Sequence, residues 1–164
     1  MNWEAIGAIG EVVGATGVIL SLLYLAIQIR GEARAKRAST VHDQSKAYRD
    51  FLHSIAADDQ LSDIYLRGLR DAEELDETEL VRFLSALGFL FRVFEEAFYH
   101  WNDGDLDLHV WHGFSAPIVD MLAYPGTMVY WEMRRHWYSA PFREFVEKEM
   151  ERAGEQNLYR ERAA

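Results

Sequence analysis

The chain contains no cysteine. That absence removes a disulfide framework, a thiolate zinc site and a cysteine nucleophile together, and it fits a domain in a reducing compartment. Catalytic signatures are missing as well. No nucleophile elbow, phosphate-binding loop, dinucleotide fingerprint or HExxH pattern occurs, so nothing in the sequence supports an enzyme. Residues 1–10 carry no Lys or Arg, and no small-x-small site precedes a polar segment, so the apolar start does not read as a signal peptide. Positive charge is short overall: 17 Lys plus Arg face 27 Asp plus Glu, for a formal net charge of −10. Such a surface repels phosphate backbones, and nucleic acid is not expected as a partner. Strand signals, internal repeats and low-complexity tracts are all absent.

What the chain does have is apolar and helical. Residues 12–27, VVGATGVILSLLYLAI, contain no charge and no proline. Extended to residues 5–29 the stretch is 25 residues long and interrupted only by Glu11. At 1.5 Å per residue it reaches roughly 37 Å, more than the ~30 Å hydrocarbon core of a bilayer. Arg30, Arg34, Lys36 and Arg37 crowd its C-terminal side, and nothing basic lies on the other. The positive-inside rule then leaves the N-terminus outside and the remainder in the cytoplasm. Asn2 is placed to cap the helix, with Trp3 and Arg30 as interfacial anchors.

The reading that follows is an all-α chain. Residues 1–30 form a transmembrane anchor, 31–57 a helical stalk, 58–153 a cytoplasmic bundle of about five helices, and 154–164 a polar tail. Along the stalk Val41, Tyr48, Leu52 and Ile55 make a sparse apolar seam. Asp58-Asp59 breaks the helix, and a short helix to about Arg70 follows, with Leu61, Ile64, Tyr65 and Leu69 on one face. Asp76 and Glu79 form a capping box ahead of the central helix, residues 77–102. Its core stripe is Leu80, Phe83, Leu87, Phe91, Phe94, Phe98 and Trp101, with Phe89, Val93 and Ala97 on a second face. Its longest charge-free run, residues 83–91, is nine residues and too short to cross a membrane. Gly104 ends it, and Asp107 caps a helix to about Ala123 that contains Pro117. After a turn at residues 124–126, a helix over 127–136 presents Val129, Tyr130, Met133 and Trp137. Ser139 caps the last helix, whose first turn holds Pro141.

Four blocks, NWEAIGAIGEVVGA, SLLYLAIQIR, FRVFEEAFYH and YWEMRRHWYSAPFREFV, are distributed along most of the chain. They resemble a group of small bacterial proteins with one N-terminal membrane helix and a cytoplasmic helical domain. The resemblance implies a bacterial inner-membrane location. It brings no catalytic residue with it.

Candidate functional residues fall into three sets. Gly7, Gly10, Gly14, Gly17 and Ser21 recur at spacings of three and four, so they share one face of the anchor; Tyr24 and Gln28 continue the stripe and Glu11 borders it. Small residues let membrane helices approach, and polar side chains bond across the contact. The expectation is a homo-oligomeric structural or interaction module whose partners are membrane lipid and either itself or another membrane helix. An oligomeric ion-conducting pore, an accessory subunit of a larger complex, and a cytoplasmic small-anion-binding or metal-dependent domain are the alternatives. A carboxylate at Glu11 either sits among the outer headgroups or marks a pathway through the hydrocarbon. Second, Arg92 precedes Glu95 and Glu96 at helical spacing, and Arg134 and Arg135 lie in an aromatic-rich segment. This set reads as an internal ion-pair network or as a pocket for a small anion. Third, Glu96, His100, His109 and His112 are the only candidate metal ligands. Their spacing departs from the paired Glu-x-x-His of di-iron bundles, and His109 and His112 flank a core-facing Trp111, so neither metal nor cofactor is expected.

Overall fold

The computed structural model describes Trp3–Glu155, with side-chain surroundings for Glu11 and residues 14–152. The expected roles of Asn2, the Trp3 side chain and residues 156–164 lie outside the described residues, as do the surroundings of Gly7 and Gly10. All regular structure among the described residues is helical. In order it comprises α1 (Trp3–Ala56), α2 (Asp59–Arg70), a 3-10 turn (Ala72–Glu74), α3 (Glu77–Asn102), α4 (Leu108–Leu122), α5 (Pro125–Arg134), a second 3-10 turn (Arg135–Trp137) and α6 (Ala140–Glu155). Among the described residues the architecture is therefore all-helical, with one long apolar N-terminal helix followed by a bundle with five further helices.

Two compact units divide the chain, Met1–Ser39 and Thr40–Ala164. The described residues of the first unit are helix alone. In the second, the C-terminal part of α1 packs into the bundle, so residues 40–56 of the expected stalk belong to the core. Phe51 is only 5% exposed there, while Leu52 of the expected seam is 47% exposed. Val41, Tyr48 and Ile55 pack half-buried beside Phe51.

Local sequence explains the boundaries. Asp58 accepts from the Leu61 amide at 3.0 Å and starts α2. Asp76 accepts from the Glu79 amide at 2.8 Å while Glu79 accepts from the Asp76 amide at 3.2 Å, completing the capping box of α3. Asp107 caps α4 through the Val110 amide at 2.9 Å. Gly104, at φ +78°, closes α3 in the left-handed region that L side chains avoid.

The core is built around α3, where Phe83, Leu87, Leu90, Phe91, Phe94 and Ala97 are fully buried. Phe98 sits at the centre of an aromatic cluster, with its ring centroid 5.4–6.0 Å from those of Trp101, Trp111, Phe142 and Phe145. Phe89, expected on a buried second face, is 49% exposed and stacks on Phe51 at the rim.

Two further expectations are corrected. α5 starts at Pro125, whose fixed φ suits the first helical position, and not at Thr127. Thr127, Tyr130 and Trp131 are its buried side chains, whereas Val129, Met133 and Trp137 are exposed. Ser139 does not cap α6 through its side chain. Its hydroxyl oxygen is buried without a hydrogen-bond partner, while its backbone N–H donates to Glu95.

α2 and α5 meet backbone to backbone. A Cβ on Gly126 would lie 1.8 Å from the Gly68 carbonyl oxygen, and one on Gly68 would lie 2.6 Å from the Phe83 ring. Only glycine permits that approach.

Candidate functional site

Within the first unit, the apolar stretch of α1 is entirely uncovered. Val18, Ile19, Leu20, Leu22, Leu23, Leu25, Ile27 and Ile29 are each 50–69% exposed. Burying such a side chain is worth about 1.5–3 kcal/mol, so eight left in water would be strongly unfavourable. This stretch is long and apolar enough to cross a membrane. On the small-residue stripe, a Cβ at Gly14 or Gly17 would meet nothing within 4 Å. Ser21 Oγ donates to the Gly17 carbonyl at 2.9 Å, and Gln28 Nε2 donates to Tyr24 Oη at 3.1 Å. Both hydrogen bonds lie within the helix itself. Glu11 is exposed.

In the second unit, the arginine–glutamate set resolves into a specific arrangement on α3. Glu95 is buried, with its side chain 11% exposed. Its Oε2 accepts from Arg92 Nη1 at 2.6 Å, and its Oε1 accepts from the Ser139 backbone N–H at 2.9 Å. Arg92 also donates through Nη2 to the Trp137 carbonyl at 2.9 Å, and its guanidinium lies 4.7 Å above the Tyr138 ring. One carboxylate and one guanidinium therefore tie α3 to the chain between α5 and α6. Removing a partner from so buried a carboxylate is expected to be costly, whereas the intact pair is close to neutral.

Arg134 lies at the other side of this junction and stacks on the Trp137 ring at 4.4 Å. Among the described residues no carboxylate is within ion-pair range of it. Glu96 and Arg135 stand apart from the set. Glu96 is exposed and 4.0 Å from His100, and Arg135 reaches Glu147 at 3.4 Å. Beneath the two arginines, Tyr130 and Tyr138 share a hydroxyl–hydroxyl hydrogen bond of 2.5 Å. Burial pushes both phenols above their ordinary range, while the positive charges of Arg92 and Arg134 pull Tyr130 the other way.

Arg92 and Arg134 open onto a groove of about 420 Å³ on the surface of α3, with Leu84, Gly88, Phe89 and Trp137 forming its walls. The sequence pointed to Arg92, Glu95 and Arg134. It could not supply the Trp137 carbonyl, which is 45 residues from Arg92, or the phenol pair under Gly88.

The histidines do not converge. His100 lies 4.0 Å from Glu96 and 3.7 Å from Asp105, whereas His109 and His112 face solvent on α4. No group of three or more His, Asp or Glu side chains able to hold a metal ion occurs among the described residues.

No family model, curated protein or solved structure matches the chain.

Proposed function

We propose that the chain is a single-pass bacterial inner-membrane protein, a homo-oligomeric structural or interaction module with its helical bundle in the cytoplasm. The observation that carries this reading is the uncovered apolar surface of α1 between residues 14 and 29, with open space at Gly14 and Gly17. Hydrocarbon satisfies the aliphatic side chains but does not press helices together. Close packing at small residues does, and the stripe offers it on one face only. The four cations following Ile29 support the cytoplasmic orientation of the bundle.

Subunit count in neutral-lipid nanodiscs or mild detergent tests the assembly. Isoleucine at Gly14 or Gly17 is expected to weaken association by on the order of 1–3 kcal/mol per contact, shifting the protein toward monomer. Isoleucine at Ala15 or Leu22, off the stripe, should leave the count unchanged. An unaltered oligomer in both Gly14→Ile and Gly17→Ile would show that the stripe is not a packing surface.

A further inference from the structure

We infer that the groove between α3 and the α5–α6 junction binds an amphipathic anion, a single carboxylate or phosphate carried on an apolar tail. The groove follows one outward stripe of α3 from Val81 to Arg92. Eleven residues of helix give it a length of about 16 Å. Its walls are Leu84, Gly88 and the exposed rings of Phe89 and Trp137, and they offer an alkyl chain apolar contact along most of that length. Both cations stand at one end. Arg92 is already neutralised and oriented by Glu95, and two of its five N–H donors are used by Glu95 and the Trp137 carbonyl. Arg134 is held by stacking on Trp137 and has no carboxylate among the described residues. Among the described residues, the end of the groove thus carries one uncompensated positive charge, in a protein of net charge −10. That charge calls for a single anionic head with one apolar tail. A bare inorganic anion would leave the apolar walls empty, and a neutral lipid would leave Arg134 unmatched.

Gly88 sets the depth of the head-group end. A Cβ there would lie 3.2 Å from the Tyr130 hydroxyl, so the glycine keeps that hydroxyl, and the Tyr138 hydroxyl bonded to it, close under the groove floor. Fixed guanidiniums at one end and an apolar channel leading away from them together make the recognition pattern of an anionic amphiphile.

The site goes beyond the assembly reading and does not depend on it. Its test uses the full chain in phosphatidylcholine nanodiscs titrated with octanoate, with empty discs subtracted. Saturable binding of one octanoate per chain is expected. Arg134→Gln should weaken it about tenfold or more, the loss of one charge-assisted hydrogen bond. Ser85→Trp, which fills the groove midway from an exposed position, should abolish it while the melting temperature stays unchanged. Octanol and inorganic phosphate should each fail to compete. Replacing part of the phosphatidylcholine with phosphatidylglycerol separates the sources of the ligand. Reduced octanoate affinity there identifies a membrane lipid as the occupant, and unchanged affinity identifies a free amphiphile. Octanoate uptake that does not saturate, or that Arg134→Gln and Ser85→Trp leave untouched, would overturn the assignment.

Discussion

Glu79 shows how one side chain can hold two elements. Its carboxylate accepts from the Asp76 amide in the capping box and, through both oxygens, from Arg67 of α2 at 2.6 and 3.2 Å. Arg67 in turn reaches Asp63 at 2.8 Å. The hydrogen bonds from Arg67, reinforced by the Asp76 amide, hold the Glu79 carboxyl below the usual carboxylate range. A carboxyl depressed in the folded state adds stability above its unfolded pKa of about 4.3 and loses it as pH falls through the folded value. Wild-type melting temperature should therefore drop on acidification below about pH 4. Glu79→Gln should have the shallower acid limb, because glutamine can still cap Asp76 but cannot titrate. Parallel acid limbs in the two proteins would deny the ion pair that role. The carboxylate at Glu95 differs in kind. It is buried, and its partners come from the far side of the fold, so its effect belongs to packing between helices rather than to one helix start.

Between elements, the contact of α2 with α5 is the least forgiving. With the Gly68 carbonyl 1.8 Å from a Cβ built on Gly126, alanine at Gly126 must separate two helix backbones. Overpacking of that sort costs about 1–3 kcal/mol and occasionally more. Gly113 of α4 meets open space, and alanine there should be neutral or stabilise by up to about 1 kcal/mol through helix propensity. Urea unfolding should show a lowered midpoint for Gly126→Ala and an unchanged or raised one for Gly113→Ala, and equal losses in both would remove the steric argument. The starts of α3 and α4 were readable in advance because a capping aspartate acts on amides two or three residues away, and at α2 the sequence marked the break at Asp58-Asp59 while the structure showed Asp58 to be its cap. α5 was harder to read. It starts at Pro125, and the surfaces of α2, α3 and α4 select Tyr130 and Trp131 for burial while Val129, Met133 and Trp137 lie outside. A one-residue shift at the end of α1 exchanged Leu52 for Phe51. Helical periodicity identifies that a face exists, but neighbouring apolar positions compete for it until a partner surface selects one.

At the scale of the whole molecule, charge is unevenly distributed along the chain. Acidic groups dominate the chain, yet the segment immediately after the apolar stretch carries Arg30, Arg34, Lys36 and Arg37. In a bilayer that asymmetry orients the helix, because translocating a basic cluster is disfavoured. An alkaline phosphatase reporter fused after Ala164 should remain inactive in cells, and a cytoplasm-active reporter at the same point should be active. The reverse pattern would invert the topology and, with it, the compartment of the α3 groove. The subunit count in Gly14→Ile and Gly17→Ile then reports on assembly independently of orientation.

The sequence by itself determined what depends on short-range patterns. The length and apolarity of residues 14–29, the basic flank, the helix-starting aspartates and the Phe-rich stripe of α3 each act over a few residues, or through composition alone. So does the pairing of Arg92 with Glu95, three residues apart on one helix. Only the tertiary structure decided what joins distant segments. It brought the Trp137 carbonyl and the Ser139 amide to Arg92 and Glu95, set Arg134 beside a groove on α3, and put the Tyr130–Tyr138 pair beneath Gly88. It also separated Glu96 and Arg135 from that set and left His109 and His112 in solvent. The physical reason is common to all of them. A local hydrogen bond is specified by spacing along one helix, whereas a contact across the bundle depends on the phase and packing of two or more helices at once, and a change of one residue in any of them sends a different side chain inward.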